Sequence, residues 1–284
     1  MRTGPLLMIA ATLVLTCMSG AVKIARVEMS ALDLVFWRGV IAVPFAFLLA
    51  RSGGLRIRQH KMFGARLGLG FIAMMCFFTA LKGLPLADTN CITKIQPVLI
   101  ALGAPMFLGS KERPGMRIWI LMGVGLVGTI ILLAPDLAIG SVWGLWAVGA
   151  AVFSAGAHIA LRGLKTEPSG AVVFWFQVGV MCLAGMWVLL RGEGLPLPSA
   201  QVWPAVIGVG VLATIGQLLM THAYARDSAS NIATVRFIGP IWGIAGDVLF
   251  FAGWPALHVW LGGALVVGAG LFATLKPQAT APPP

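Results

Sequence analysis

Two short stretches place cations beside prolines within strongly apolar surroundings. Lys94 lies three residues before Pro97, and Arg236 lies four before Pro240. A proline inside a helix lacks an N–H, so the carbonyl four residues earlier, that of Thr93 or Arg236, loses its partner. A cation about one turn before such a break can hold an anionic substrate group such as a carboxylate. The alternative is that Lys94 and Arg236 carry their charges to the membrane surfaces along their long stems. Gln96, next to the first proline, offers two donors and an acceptor and is the leading candidate for substrate contact. Ser154 and His158, four apart on one helix face, come nearest to a nucleophile–base pair. No acid is placed to orient that imidazole, and packing is the competing reading of His158. Phe78, Thr79, Gln217 and Trp242 complete the candidate substrate-binding set, with Thr221 and His222 close to Gln217.

The elements that must position these groups follow from composition. Of 284 residues, 59% are hydrophobic and 10% charged, with a mean hydropathy of +0.94. A soluble domain carries roughly 25% charged residues, so this chain cannot cover a water-facing surface. The same composition excludes disorder, and four cysteines do not make a disulfide scaffold. Crossing a bilayer takes about 20 apolar residues as a helix. Ten stretches qualify: 4–23, 33–50, 64–83, 86–108, 118–135, 141–161, 170–190, 202–225, 229–251 and 257–275. The first is longer than a signal-peptide core and lacks a small-x-small cleavage site, so it is read as a span. The remaining residues form short connections and leave no soluble domain. The fold class expected is an all-α integral membrane protein of ten transmembrane helices.

Basic residues in the connections set the orientation. With a cytoplasmic N-terminus, the inner set is Arg2, Arg51, Arg56, Arg58, Lys61, Arg66, Lys111, Arg113, Arg117, Arg162, Lys165, Arg226 and Lys276. Arg26 and Arg191 fall outside, with Glu28, Asp136 and Glu193. Both termini are therefore expected in the cytoplasm, across a cell inner membrane. The net charge of +11 reads as topology and not as nucleic-acid binding, because the basic residues are spread over membrane-flanking loops.

The chain also repeats itself. Ser19 to Ala25 matches Ser154 to Ala160, and Phe36-Trp37-Arg38 matches Phe174-Trp175-Phe176-Gln177. Ala80-Leu81 matches Ala223-Tyr224, Pro97 matches Pro240, and Gly123 to Gly128 matches Gly263 to Gly268. The unit contains five spans, an odd number, so the second copy (141–276) must enter the membrane opposite to the first (1–135). Inverted repeats of this kind build alternating-access transporters whose site lies near the midplane between the halves. Pro97 and Pro240 then act as hinges, their freed carbonyls facing a protein-lined or hydrated interior.

Ala80-Leu81-Lys82, Ala87, Pro97, Leu108-Gly109-Ser110-Lys111-Glu112-Arg113 and the closing Gly123 and Gly128 resemble the EamA domain of the drug/metabolite transporter superfamily. That family carries two five-span EamA domains per chain, and its members include exporters of amino acids and other small metabolites. Arg38 matches a position where the family often has arginine. The second half departs from the pattern: Ala252-Gly253-Trp254-Pro255 replaces the Gly-x-Glu-Arg turn, and Gln177 stands where arginine would be expected.

The resemblance implies a transporter exporting small metabolites, with amino acids foremost. The competing classes are an intramembrane enzyme acting on lipid or peptide substrates and a receptor or scaffold. No cofactor or metal is expected: the four histidines and four cysteines show no ligand spacing. The expected partners are a small-molecule substrate and the bilayer, and the expected state is a monomer. Lys23, Arg38 and Asp88 are placed toward the outer ends of their spans, as an ion-pair gate or as interfacial anchors. No acidic residue lies at mid-span, so a carboxylate proton relay is not evident.

Overall fold

In the computed structural model, residues 3–51, 53–84, 86–133, 141–192, 197–242, 244–245 and 257–275 are described. The apolar stretches fold as helices because a chain in lipid must satisfy its own backbone groups. In order these are α1 (Thr3–Ala25), α2 (Ala31–Ala50), α3 (His60–Gly83), α4 (Leu86–Thr93), α5 (Gln96–Leu108), α6 (Met116–Leu133) and α7 (Val142–Gly163). They continue with α8 (Ser169–Leu190), α9 (Trp203–Arg226), α10 (Ala229–Val235) and α11 (Leu257–Leu275). Serines open three of them: Ser30, Ser141 and Ser228 accept the backbone N–H three residues on, at 3.2, 3.0 and 3.4 Å. Such caps satisfy donors that a helix start leaves free.

Among the described residues, nine helices are long and apolar enough to cross a membrane, with α4 and α5 together supplying one of them. α10 opens the remaining expected span, whose residues 246–251 lie outside the described set, as do Asp136, Glu193, Asp247 and Ala252 to Pro255. Large apolar side chains such as Leu102, Phe107, Leu189 and Trp260 face outward, as lipid contact requires. The chain is an all-α integral membrane protein.

The long helices pack as pairs: α1 with α9, α2 with α8, α3 with α7, and α6 with α11. Contacts at their ends show each pair to be antiparallel. Gly4 approaches Arg226, Gly170 approaches Ala50, and Gly83 approaches Trp143. Arg117 donates to the Phe272 carbonyl. Small residues allow the closest approach: a Cβ on Gly262 of α11 would lie 2.4 Å from the Leu132 backbone nitrogen. Exchanging the spans of one proposed repeat for those of the other leaves this pairing scheme unchanged.

The sequence places Arg66 in an inner loop. It lies instead within α3, which begins at His60, and it is buried. The starting serines, the Pro168 cap of α8 and the Pro204 in the first turn of α9 set helix starts within two residues of expectation elsewhere. α3 has no such marker: its N-cap Gln59 makes no side-chain bond to the helix and donates instead to Thr166 Oγ1 at 2.8 Å.

Candidate functional site

The two proline breaks face one another. α4 ends at Thr93, and Lys94 and Ile95 form a turn whose N–H groups bond three residues back, to Cys91 and Ile92. Pro97 then falls in the first turn of α5, where a missing N–H costs nothing. In the other half, α10 tightens at Arg236 into a 3-10 turn through Ile238, and the Gly239 N–H returns to the Arg236 carbonyl. That carbonyl, released by Pro240, also accepts the Lys94 ammonium at 2.8 Å.

A polar network extends from this contact. Arg236 Nη1 donates to Gln96 Oε1 at 2.6 Å. Gln96 Nε2 reaches Ser154 Oγ at 2.5 Å and His158 Nδ1 at 2.7 Å. His158 Nδ1 also lies 2.6 Å from the Ser154 carbonyl, while Nε2 lies 3.4 Å from Arg236 Nη1 and 3.1 Å from Met220 Sδ. With its proton on Nδ1, the ring donates to Ser154 and accepts from Arg236. With the proton on Nε2, it accepts from Gln96. Either tautomer ties α5, α7 and the 3-10 turn together.

Two more buried guanidiniums lie on the same cavity. Arg38 Nη2 donates to Gln177 Oε1 at 2.9 Å, and its Nη1 contacts Met74 Sδ. Arg66 Nη2 donates to Gln217 Oε1 at 2.7 Å, and its guanidinium carbon sits 4.3 Å from the Phe176 ring centre. This stacking is the planar cation–π contact that arginine makes well. Gly70, one turn beyond Arg66, leaves room for it: a Cβ there would come within 2.8 Å of the Phe176 ring. The Nε of each arginine is buried without a hydrogen-bond partner.

The cavity encloses about 220 Å³, with walls from α1, α2, α3, α7, α8, α9 and the two breaks. An apolar cavity of about 150 Å³ holds a benzene, so a small metabolite fits here. Of the sequence candidates, Gln96, Lys94, Phe78, Ser154, His158, Gln217, Arg236 and Pro97 line it together. Pro240 is buried beside Gly239, which does line it. Thr79 is half-buried and off the wall. Trp242 also stands behind the wall, donating from Nε1 to Thr12 Oγ1 at 3.0 Å.

The three candidate gate residues differ in setting. Lys23 donates to the Leu81 and Leu84 carbonyls at 2.9 and 3.0 Å, and Asp88 is buried in α4. Arg38 lines the cavity, where its bonds go to Gln177 and Met74. Ion pairs also join the halves. Arg191 Nη2 meets Asp33 Oδ1 at 2.9 Å, and Arg162 Nε meets Glu112 Oε1 at 2.8 Å. Glu112 Oε2 also accepts the Ala229 N–H that opens α10. Arg66 is the site residue that sequence reasoning misses. Its place inside the apolar stretch 64–83 is the available signal.

Broken spans whose cations, amides and a histidine meet at one cavity between the halves are the architecture of a membrane transporter of small metabolites. Residues 2–134 match the EamA-like transporter family. The chain is 27% identical to the pseudopaline exporter CntI of Pseudomonas aeruginosa, covering 95% of each protein. It is 24% identical to a riboflavin transporter of Brucella anthropi, covering 90% of this chain and 92% of that one. A solved crystal structure superposes with a TM-score of 0.80 at 21% identity, over 96% of this chain and 99% of the other, which shows a shared fold. The first half of the chain is thus similar to the EamA-like transporter family, and these relatives, matched along nearly its whole length, are transporters.

Proposed function

We propose that this protein exports small metabolites, amino acids foremost, from the cytoplasm across a cell inner membrane. In this reading residues 1–135 and 141–276 are inverted repeats that alternate access to the central cavity. The observation that carries it is the convergence of Lys94, Gln96, Ser154, His158 and Arg236 from both halves on one cavity. An amino acid would set its carboxylate against Lys94 and Arg236, with Gln96 and Ser154 taking its remaining polar atoms. The antiparallel α2–α8 pair and the unchanged pairing scheme on exchanging halves support the inverted arrangement. So does Arg38 facing Gln177, which the repeat matches to each other: residues at equivalent places near a two-fold axis meet.

The enzyme alternative has less support. Ser154 Oγ lies 3.2 Å from His158 Nδ1, but among the described residues no carboxylate lines the cavity to orient the ring.

The deciding measurement is counterflow of labelled amino acids into liposomes holding the purified protein. Uptake above protein-free liposomes, competed by unlabelled substrate, is expected. Uptake no faster than in protein-free liposomes for every amino acid tried would overturn the amino-acid reading.

A further inference from the structure

The cavity is electrostatically one-sided. Arg38, Arg66, Lys94 and Arg236 all line it, and among the described residues no Asp or Glu does. These four donate to neutral groups: two glutamine amides for Arg38 and Arg66, a third for Arg236, and a backbone carbonyl for Lys94. The described carboxylates lie elsewhere, and several are engaged there. Asp33 and Glu112 hold Arg191 and Arg162, and Glu167 accepts the Arg58 and Gln59 N–H groups. Arg38 and Arg66 are only 2% and 3% exposed, and each keeps a buried Nε–H without a partner.

A cation inside a membrane protein is expensive unless something neutralises it. Four in one cavity are costlier still, since each repels the others, and among the described residues the chain provides no acid at that wall. A zwitterion does not change this imbalance, because it brings its own positive charge. We propose that the cargo is a small organic anion bearing two or more negative groups, carboxylate or phosphate. One negative group would lie between Lys94 and Arg236, and another would meet Arg66 and Arg38, where the free Nε–H donors remain. Guanidinium forks suit both carboxylate and phosphate oxygens. The aromatic walls, Phe77 and Phe78, then cover the carbon frame that joins the charged ends.

This inference rests on the transport reading above and narrows its substrate class. The test uses the purified full chain in detergent and in liposomes, with pairs alike in shape and different in charge. Glutamate is set against glutamine, glycerol 3-phosphate against glycerol, and citrate stands as the trianion, all at constant ionic strength. The thermal midpoint should rise with the number of negative groups. Glutamate or glycerol 3-phosphate should compete for transport at least 10-fold better than its neutral counterpart. Arg66→Gln and Lys94→Gln should each weaken glutamate binding roughly 10- to 100-fold, and Arg66→Gln should weaken glutamine, which lacks the second negative group, less than it weakens glutamate. Arg66→Lys, which keeps the charge, should recover part of the loss and guards against a misfolded Arg66→Gln.

A dependence on carboxylate or on phosphate alone would still support the polyanion and identify its source. Equal transport of glutamine and glutamate would overturn it and leave the transporter intact. Equal stabilisation by chloride, sulfate and citrate would also overturn it, as ordinary screening of a basic cavity. If no compound moves and none shifts the midpoint, both readings fall.

Discussion

The side chain of Lys94, in the helix break of the first half, donates at 2.8 Å to the carbonyl of Arg236, in the break of the second. Pro240 released that carbonyl from its i→i+4 partner, and it is taken up by the Gly239 N–H of its own half and by a side chain from the other. Gly239 makes room for that side chain, since a Cβ there would sit 3.2 Å from the Lys94 nitrogen. Any movement that separates the halves at this point must break the bond. It therefore fixes the relation of two helices that a transporter needs to move.

Lys94→Gln and Lys94→Met both discard the charge, and only glutamine keeps a donor near the carbonyl. The difference between the two therefore isolates the hydrogen bond from the repulsion between Lys94 and Arg236. We expect Lys94→Met to be less stable than Lys94→Gln by about 0.5–1.5 kcal/mol. Unfolding midpoints in the same detergent measure it. Equal midpoints would mean that the carbonyl finds another partner at no cost.

Gln96 is the hub that joins Arg236, Ser154 and His158. Gln96→Ala removes a buried bonding group, and the loss of about 1–3 kcal/mol corresponds to roughly 5- to 150-fold in substrate affinity. Gln96→Glu should act in the opposite sense on stability. A carboxylate 2.6 Å from Arg236 would occupy the place of cargo, raising the thermal midpoint while transport is lost. Normal transport by the Gln96→Glu variant would remove Gln96 from the site.

Much of this is legible in the sequence because membrane physics leaves few choices. Apolar length places the helices, and two of the prolines inside spans, Pro97 and Pro240, lead to Gln96, Lys94 and Arg236, while Pro44 and Pro105 lie within helices that continue through them. His158 and Ser154 show as a pair because four residues make a helical turn. Arg66 is lost to a rule that counts basic residues near span ends as loop anchors. Its neutral partners, Gln217 and the Phe176 ring, come from α9 and α8, so nothing local flags its burial. The place of Arg38 on the cavity wall is not legible for a related reason. Depth along a span reads as distance to water, whereas the cavity brings its polar partner Gln177 to mid-bundle. The Asp33–Arg191 and Glu112–Arg162 pairs join residues far apart in the chain, and no local pattern marks them.

The α6–α11 contact offers a test of packing that leaves the cavity untouched. At Gly262 an added methyl meets the Leu132 backbone at 2.4 Å, and backbone cannot step aside as a side chain can. Gly262→Ala should cost about 1–3 kcal/mol by overpacking. A methyl added at Gly268 on the same helix would meet nothing within 4 Å, so Gly268→Ala should be neutral or slightly stabilising. Parallel thermal melts decide it, and equal midpoints would refute the close approach.

The proposed orientation can be tested where it matters most, at the two ends of the antiparallel α2–α8 pair. One end brings Asp33 to Arg191, and the other brings Gly170 to Ala50. In the proposed orientation, argued from the basic residues of the connections, the second end lies in the cytoplasm. On a background lacking Cys17, Cys76, Cys91 and Cys182, single cysteines at Arg58 and Lys165 should therefore resist a membrane-impermeant maleimide in intact cells and react after lysis. A cysteine at Glu28 should react in intact cells. The connections that carry Arg58 and Glu167 are held together, because Glu167 accepts the Arg58 N–H at 3.1 Å, so residues 58 and 165 must label alike. Labelling of residue 58 from outside, with residue 28 protected, would reverse the proposed topology and turn the inferred direction of export with it.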